Sequence, residues 1–583
     1  MPRDAMTLDN EGIAAVLDEI GDLLELKGEN VFRAVTYRAV ARSIRDLREP
    51  VATLVEQNRL AEIPKCGPSV TEAITQLVRE GASKRHGELK AAVPEGLITL
   101  LGVPGVGPAT ARTIYNELKI TSIDALEAAA RDHKLRELPK IQAKTEENIL
   151  KSIAALRQRT GRTLIHHARR AANEMIATLR ERTGVTQISV AGSVRRYRET
   201  IGDIDLLIPA DDAKPYMEAF TTAPSVERVL ANGDTKSSVI VGRGLQIDLR
   251  VVPPASWGAA LLYFTGSKEH NVRLRGHVLR KKMLLNEYGL YRVGAEERGQ
   301  EVASRTEEDV YAALGMDWIA PELREDHGEI DASLQHALPA LVTLGDVTGD
   351  LHTHTNWTDG HDDLASMARA AKAKGYAYMA VTDHSPAVGL TLGLDPKRIA
   401  LRIEEAKKLN AQLAPFRIIV GTEVDIRANG ALDYPDEILK QFDIVSASVH
   451  SAFGQSKDVM TTRILDAIRN PYVTAFSHPT GRLLERREPY AVDLDAVIAG
   501  AIETGTWIEI NGGPERLDLP DVWVRKAIER GATLVATSDA HAVEELDWME
   551  FAISTARRGW ATKASIANTL PLDAMLAKRK KRP

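Results

Sequence analysis

Two groups of residues have the types and spacing to hold metal ions. In "GDIDLL", Asp203 and Asp205 alternate with Ile204 and Leu206, so on a strand both carboxylates leave one face while the aliphatic residues enter a core. A third carboxylate, Asp248, sits among alternating apolar residues in "LQIDLRVV". Like charges on adjacent strands destabilise each other. Three together make sense around divalent cations, and hard oxygen donors suit magnesium carrying a nucleotide's phosphates. Two such ions can activate an attacking hydroxyl and stabilise a leaving pyrophosphate. Gly192-Ser193, nine intervening residues and then Asp-x-Asp match a nucleotidyltransferase signature. The Gly-Ser turn would hold triphosphate oxygens and Arg196 would neutralise them.

The second group begins in "GDLHTHTNWTDG", where His352 and His354 alternate and Asp359 follows. Further polar residues end short, near-continuous apolar runs: His384 in "YAYMAVTDHS", Glu423 in "FRIIVGTEVDI", His450 in "FDIVSASVHS", His478 in "YVTAFSHPTGR", and Asp539 and His541 in "ATLVATSDAH". Six of the fifteen histidines thus lie at strand ends of one region beside three carboxylates. Mixed imidazole and carboxylate donors favour zinc, manganese or iron over calcium. Nine donors are too many for one ion and suggest two or three. Bridged ions can bind a phosphodiester and deliver hydroxide to phosphorus. Arg482 in "SHPTGR" is a candidate for holding a substrate phosphate, and equally a surface arginine.

The elements that must position these residues differ along the chain. Runs such as those above, each followed by a helix-like stretch, predict a parallel barrel with its chemistry at the strand C-terminal ends. From about residue 160, "QISVAGSVRRYRETIGDIDLLIP" reads as a strand, a Gly-Ser turn and another strand in a mixed α and β region. The first 150 residues read as helices, with apolar residues at helical spacing in "EGIAAVLDEIGDLLEL" and "NVFRAVTYRAVARSIRDL". A hairpin-like element recurs there as "EIPKCGPSVTEAI", "LGVPGVGPATARTI" and "ELPKIQAKTEENI". In the middle copy Gly105 and Gly107 let backbone N–H groups approach a phosphate oxygen, as in a helix-hairpin-helix. Alone, that pair reads first as an ordinary helix corner; three copies in register strengthen the reading of sequence-independent DNA backbone contact. The first copy keeps only Gly67, and the third has Lys140 and Gln142 where glycines would be.

A chain of 583 residues calls for several domains. Its 44% hydrophobic and 27% charged residues are ordinary for a soluble globular protein. No apolar run spans a bilayer and "MPRDAMTLDN" is no secretory leader. The single cysteine, Cys66, excludes internal disulfides and cysteine-rich zinc sites. A cytoplasmic enzyme without membrane association is expected. The net charge of −6 divides into −3 over residues 1–150, +5 over 151–320 and −8 over 321–583. Such mild asymmetry does not establish nucleic-acid binding, although a carboxylate-rich metal centre suits the acidic end. Residues 320–345 show little pattern and read as a connector. The tail "AKRKKRP" reads as a disordered basic end.

"LLYFTGSKEHNVRLRGHVLRKKMLLNEYGLY" at 261–291, with "GSVRRYRETIGDIDLL" and "QIDLRVV", resembles the family X DNA polymerases, the group containing DNA polymerase beta. The resemblance implies Asp203, Asp205 and Asp248 as metal-binding catalytic carboxylates using Mg2+ or Mn2+. It implies triphosphate contacts at Gly192, Ser193, Arg196 and Gly202. Tyr263, Phe264 and Gly266 would form the turn that lines the incoming sugar, Asn271 would contact the nucleotide and Arg275 the template strand. Arg33 and Tyr37 would hold a 5′ phosphate, but Ala73 stands where the family's lyases carry the Schiff-base lysine. Gln246 replaces an arginine that tunes the carboxylates in the vertebrate enzymes.

The back half looks like the polymerase and histidinol phosphatase (PHP) domain. It matches all nine ligand positions: His352, His354, Asp359, His384, Glu423, His450, His478, Asp539 and His541. That implies two or three Mn2+, Zn2+ or Fe2+ ions. The combination matches the bacterial and archaeal family X polymerases. It predicts a lyase-like helical domain (1–85), a fingers-like helix-hairpin-helix domain (86–158), an α+β palm (159–256), a thumb (257–320), a linker (321–345), a distorted (β/α) barrel (346–575) and a basic tail (576–583). The function implied is gap-filling synthesis in DNA repair on gapped or primer-template DNA with deoxynucleoside triphosphates. An attached 3′–5′ exonuclease and cutting at abasic sites are also implied, in a monomeric enzyme. Two alternatives stand beside it. In one the front half only grips DNA for a phosphoesterase; in the other the barrel is a structural platform.

Overall fold

The computed structural model describes residues 10–28, 31–45, 51–101, 103, 106–139, 141–159, 162–293, 299–387, 393–484 and 486–582. It divides into two compact units, Met1–Gly161 and Arg162–Pro583.

The first unit is helical among its described residues. Helix Asn10–Lys27 buries Ile13, Leu17, Ile20 and Leu24, the i, i+3/i+4 stripe of an amphipathic helix. One apolar core runs from Ile13 to Ile153, joining the two helical stretches expected on either side of residue 85. The repeated element is built as a short 3-10 turn followed by a helix. Leu60–Glu62 leads to helix Pro68–Glu80, and Leu135–Glu137 leads to Ala143–Arg159. Gly67 and Gly107 cap helices Pro68–Glu80 and Pro108–Leu118, each with proline in the first turn, where a missing N–H costs nothing.

The second unit contains a five-stranded sheet ordered Ser189–Val190, Asp203–Pro209, Leu245–Val252, Lys236–Val241, Val226–Asn232. Ile204, Leu206, Ile208, Ile247 and Leu249 share a core with helices Ile165–Thr183 and Lys214–Thr221. Helices Trp257–Thr265 and Lys268–Arg280 then lead to the hairpin Met283–Asn286/Gly289–Arg292 and helix Glu307–Ala313.

The stretch 321–345, expected to be a linker, is folded. Leu323 and Ile330 join the core of the preceding helices. Arg324 is fully buried with its guanidinium on Glu307 at 2.6 and 3.0 Å. It shows little apolar periodicity because much of its burial runs through charged pairs.

Seven parallel strands follow in chain order, from Gly349–Asp350 to Leu534–Thr537. Thr353 bridges to Ala540, so the first strand meets the last and the barrel nearly closes. The tail, expected to be disordered, is described through Arg582. Lys580 donates to the Ile468 carbonyl at 2.8 Å and Arg582 to the Phe442 carbonyl at 2.5 Å; clustered carbonyl dipoles hold the cations. No described helix is long and apolar enough to cross a membrane.

Candidate active sites

In the five-stranded sheet Asp205 lies directly opposite Asp248 on the neighbouring parallel strand, with Asp203 opposite Gln246. Burial, then the charges of Asp203 and Asp248, push the Asp205 carboxyl up to about 6. A site that raises a carboxyl this way is short of positive charge, and the hard-oxygen donor set fits Mg2+ or Mn2+. Gly192 is at φ +57°, and a Cβ there would lie 2.6 Å from Asp205 Oδ2. Glycine is therefore required where the turn meets the carboxylates.

Lys236 was not singled out by its sequence, yet it reaches from the next strand to place Nζ 2.7 Å from Asp248 Oδ2. Gln246 donates to the other oxygen, Oδ1, at 2.7 Å. Against the upward push of burial, these two bonds hold Asp248 below the ordinary carboxylate range. The cation absent from position 246 is thus supplied by the adjacent strand.

A cleft of about 470 Å³ gathers Ser193, Arg196 and Gly202, three residues expected at a triphosphate site, with the carboxylate Asp203, and has Arg198 and Glu325 also on its wall. Gly266 is at φ +67°, and a Cβ there would meet Arg196 Nη1 at 3.1 Å. Tyr263 and Phe264 meet edge to face at 5.2 Å, and Arg250 covers the Phe264 ring at 4.4 Å. Asn271 donates from Nδ2 to the Tyr263 carbonyl at 2.7 Å, while its buried Oδ1 has no hydrogen-bond partner. Arg275 lies one turn along the same helix, half-buried.

In the helical unit, Arg33 and Tyr37 line a cleft of about 360 Å³ with Ser69, Ala73 and Lys84. Gly107 caps its helix with open space where a Cβ would stand. Gly105 and Lys140 lie outside the described residues.

The barrel brings eight of the nine expected ligands into three overlapping groups. They are His354, Asp359, His384 and His541; His352, His354 and Asp539; and His384, Glu423 and His450. His478 Nε2 lies 2.8 Å from Glu423 Oε1. Nε2 of His352 and of His354 are buried without a hydrogen bond. Carboxylate oxygens of Glu423 and Asp539 nevertheless stand 3.3–3.5 Å from both. Bonds of about 2.1 Å to one ion place neighbouring donors about 3.0–3.4 Å apart, so the spacing fits a shared cation.

The layer behind these donors escaped the sequence. Glu509 accepts from His352 Nδ1 at 2.6 Å, from Thr537 Oγ1 at 2.7 Å and from the His478 N–H at 2.5 Å. That fixes the tautomer so that His352 Nε2 faces the site. A glutamate inside the otherwise apolar "TWIEINGG" was the signal. Asp425 likewise faces His450 Nδ1 at 3.3 Å. Arg482 points elsewhere: its guanidinium binds Glu199, just before strand Thr200–Ile201, at 2.5 Å, and its Nε donates to the Arg516 carbonyl. The cation beside the ligands is Arg516, with Nε 3.5 Å from Asp539 Oδ2.

A sheet bearing three clustered carboxylates beside a cleft lined by Arg162, Arg196 and Arg198, joined to a barrel ringed by imidazoles, defines a two-centre metal-dependent enzyme of phosphate esters. Family models agree: a helix-hairpin-helix domain matches 8–83, a SAM-like helix-hairpin-helix tandem 97–155, the DNA polymerase beta thumb 260–325 and the PHP domain 350–484. The chain is 35% identical over 567 residues to the DNA polymerase/3′-5′ exonuclease PolX of Bacillus subtilis (strain 168), covering 97% of this chain and 98% of that protein. It therefore belongs to the family X DNA polymerases that carry a C-terminal PHP domain. The barrel alone is 32% identical to a probable phosphatase of Thermoanaerobacter sp. (strain X514), over 38% of this chain and 89% of that protein. It is 31% identical to one from Shewanella oneidensis, over 35% and 81%.

Proposed function

We propose that this chain is a DNA polymerase filling short gaps during repair, with a 3′–5′ exonuclease in its barrel. Its partners are gapped or primer-template DNA and deoxynucleoside triphosphates, and its setting is the cytoplasm. The observation that carries the reading is the coexistence of two complete donor sets on one chain, Asp203, Asp205 and Asp248 on the sheet and nine imidazoles and carboxylates in the barrel.

In the palm, Asp203, Asp205 and Asp248 would hold Mg2+ or Mn2+, which when bound lowers the pKa of the primer hydroxyl and offsets charge on the leaving pyrophosphate. Ser193 and the backbone at Gly192 bind triphosphate oxygens, Arg196 neutralises them, and the Tyr263–Gly266 turn orients the sugar. Asn271 Oδ1, buried and unpartnered, can accept from the incoming nucleotide.

In the barrel, the nine ligands from His352 to His541 would hold two or three Mn2+, Zn2+ or Fe2+ ions, which supply a nucleophilic hydroxide at neutral pH. Glu509 keeps His352 in one tautomer, and Arg516 faces the phosphate entering beside Asp539.

The test uses a 5′-labelled primer on gapped template with manganese, with and without nucleotides. Asp203→Ala with Asp205→Ala is expected to abolish extension alone, and His352→Ala with His354→Ala shortening alone. Shortening that survives the barrel substitutions would remove the exonuclease from that domain. Extension that survives the palm substitutions would place synthesis elsewhere. Incision of an abasic-site duplex in the same assay decides whether the barrel also cuts internally.

A further inference from the structure

Arg196, the arginine of the triphosphate cleft, is held at its backbone carbonyl by the barrel, while its side chain rests on Glu325 and, through Nη1 at 2.5 Å, on the Thr265 carbonyl. Its Nε lies 3.0 Å from Glu325 Oε1. The same oxygen receives Nη1 of Arg558 at 2.9 Å, and that Nη1 also donates to the Arg196 carbonyl at 2.8 Å. Arg558 ends the barrel helix Met549–Arg558 and is anchored by Asp521, another barrel residue, through Nη2 at 2.7 Å. Its side chain is 2% exposed and that of Glu325 12%, so solvent screens this cluster little. Arg198 Nη1 faces the other oxygen of Glu325 at 3.9 Å.

Glu325 therefore stands inside the cleft as an anion competing with a triphosphate for Arg196 and Arg198. An arginine cannot turn fully to a triphosphate if that leaves a buried carboxylate alone, because an uncompensated buried charge is strongly unfavourable. We propose that Arg558 is a positioning residue of the polymerase: by retaining Glu325 when Arg196 turns to the triphosphate, it couples the PHP domain to nucleotide binding. The proposal rests on the reading of Arg196 as a triphosphate contact. Asp521 remains on Arg558 throughout, so once Arg196 turns away Arg558 is the close cation of both carboxylates, with Arg198 at 3.9 Å from Glu325.

Two substitutions then act in opposite directions. Arg558→Gln leaves Arg196 as the main partner of Glu325 and weakens nucleotide binding, by about tenfold for a coupling between charged neighbours. Glu325→Gln removes the competitor and tightens nucleotide binding. The double substitution removes the need for Arg558 and returns close to Glu325→Gln.

The experiment titrates a matched dNTP onto full-length protein with gapped DNA whose primer ends in a 3′-dideoxynucleotide joined by a phosphorothioate, in magnesium. Binding is read by fluorescence, so no turnover is required. Shortening of a normal primer is followed in parallel as a measure of barrel integrity. Weaker binding in Arg558→Gln, tighter binding in Glu325→Gln and rescue in the double variant establish the coupling. A dissociation constant unchanged in Arg558→Gln, or a double variant as weak as Arg558→Gln alone, overturns it. If Arg558→Gln loses shortening as well and is simply unfolded, Glu325→Gln still decides: unchanged or weaker binding there sinks the proposal. Failure of the polymerase reading looks different, because then wild type would extend no primer and bind no nucleotide.

Discussion

The two candidate centres solve one electrostatic problem in different ways. The palm clusters three carboxylates from two neighbouring strands at the edge of an open cleft, and a lysine from a third strand lies on one of them. The barrel draws its donors from positions 352 to 541 and buries most of them. It surrounds them with carboxylates that touch the ligands rather than any substrate. The open site is adjustable, balanced by Lys236, a partly exposed cation of the protein itself. The enclosed site is preorganised, because burial makes each imidazole's orientation costly to change. Substitutions around the palm donors should therefore produce graded effects, whereas those behind the barrel donors should produce steep ones.

The largest expected effect tests whether the palm side has a rigid support of its own. Glu307 is 4% exposed at its side chain and takes both nitrogens of Arg195 at 2.7 and 2.8 Å, both of Arg324, and Trp318 Nε1 at 3.1 Å. Arg195 immediately precedes Arg196, so this clamp ties the triphosphate turn to the thumb. Glu307→Gln leaves Arg324 buried without its counter-charge and should cost about 3–5 kcal/mol of stability. Burial pushes the Glu307 carboxyl up, but the charges of Arg324 and Arg195 outweigh it and hold it well below its ordinary 4.5. A carboxyl depressed in the folded state stabilises fully above the unfolded value and loses that contribution as pH falls below it. Wild type should thus lose more stability between pH 6 and pH 3 than Glu307→Gln does. Parallel urea titrations that fell equally with pH would show that the clamp carries no net charge stabilisation.

Glu509→Gln comes next and sharpens the barrel side. Removing the acceptor behind a metal-ligating imidazole weakens metal affinity or activity by about 10–100-fold. Shortening should fall by that factor and recover partly with excess manganese, while extension is unchanged. A loss that added manganese does not touch would mean that Glu509 acts otherwise than through His352. Arg516→Ala should be milder, raising KM for DNA in the shortening reaction by about tenfold, as expected for one charge-assisted phosphate contact. Arg482→Ala, whose guanidinium is committed to Glu199, should leave that KM unchanged while lowering stability. Reversal of those two outcomes would return the phosphate role to Arg482.

The side chains that the fold brings together at the two candidate centres were legible in the sequence, for a common reason. Alternation on "GDIDLL" and polar residues closing apolar runs are short-range signals, and each violates the pattern expected of a plain strand. The seven strands, their parallel order and the α-helical start were legible for the same reason of periodicity. What was not legible depends on pairing between distant residues. Lys236 in "GDTKSSVIV" looks like any surface lysine until strand register sets it against Arg250 and beside Asp248. Glu325 and Arg558, 233 positions apart, carry no local mark at all. The folding of 321–345 was not legible because ion pairs contribute to its burial, and hydropathy does not register an arginine such as Arg324 as a core residue. Arg482 was read equally as a phosphate contact and as a surface arginine from its place after His478, and nothing local marks its pairing with Glu199, 283 positions away.

Lys236 gives the smallest expected effect and the most direct contrast with the barrel. Its amine and an incoming divalent ion compete for Asp248, so Lys236→Met should lower the magnesium concentration that extension requires. The pair is 42% exposed on the lysine side, and partly exposed ion pairs are worth about 0.2–1 kcal/mol, so the shift should be about two- to fivefold. In chelator the same variant should be less stable than wild type, because three neighbouring carboxylates then lack that cation. The two signs must occur together: lysine supports the palm without metal and opposes the metal when it arrives. Half-saturation for magnesium and melting temperature in chelator, measured on one preparation, check this. A weaker magnesium requirement with unchanged stability would support the adjustable palm only in part, whereas a loosened magnesium affinity would show that Lys236 organises Asp248 for the ion. In that case the palm, like the barrel, would be preorganised by the residues behind its ligands, and the contrast between the two centres would fail.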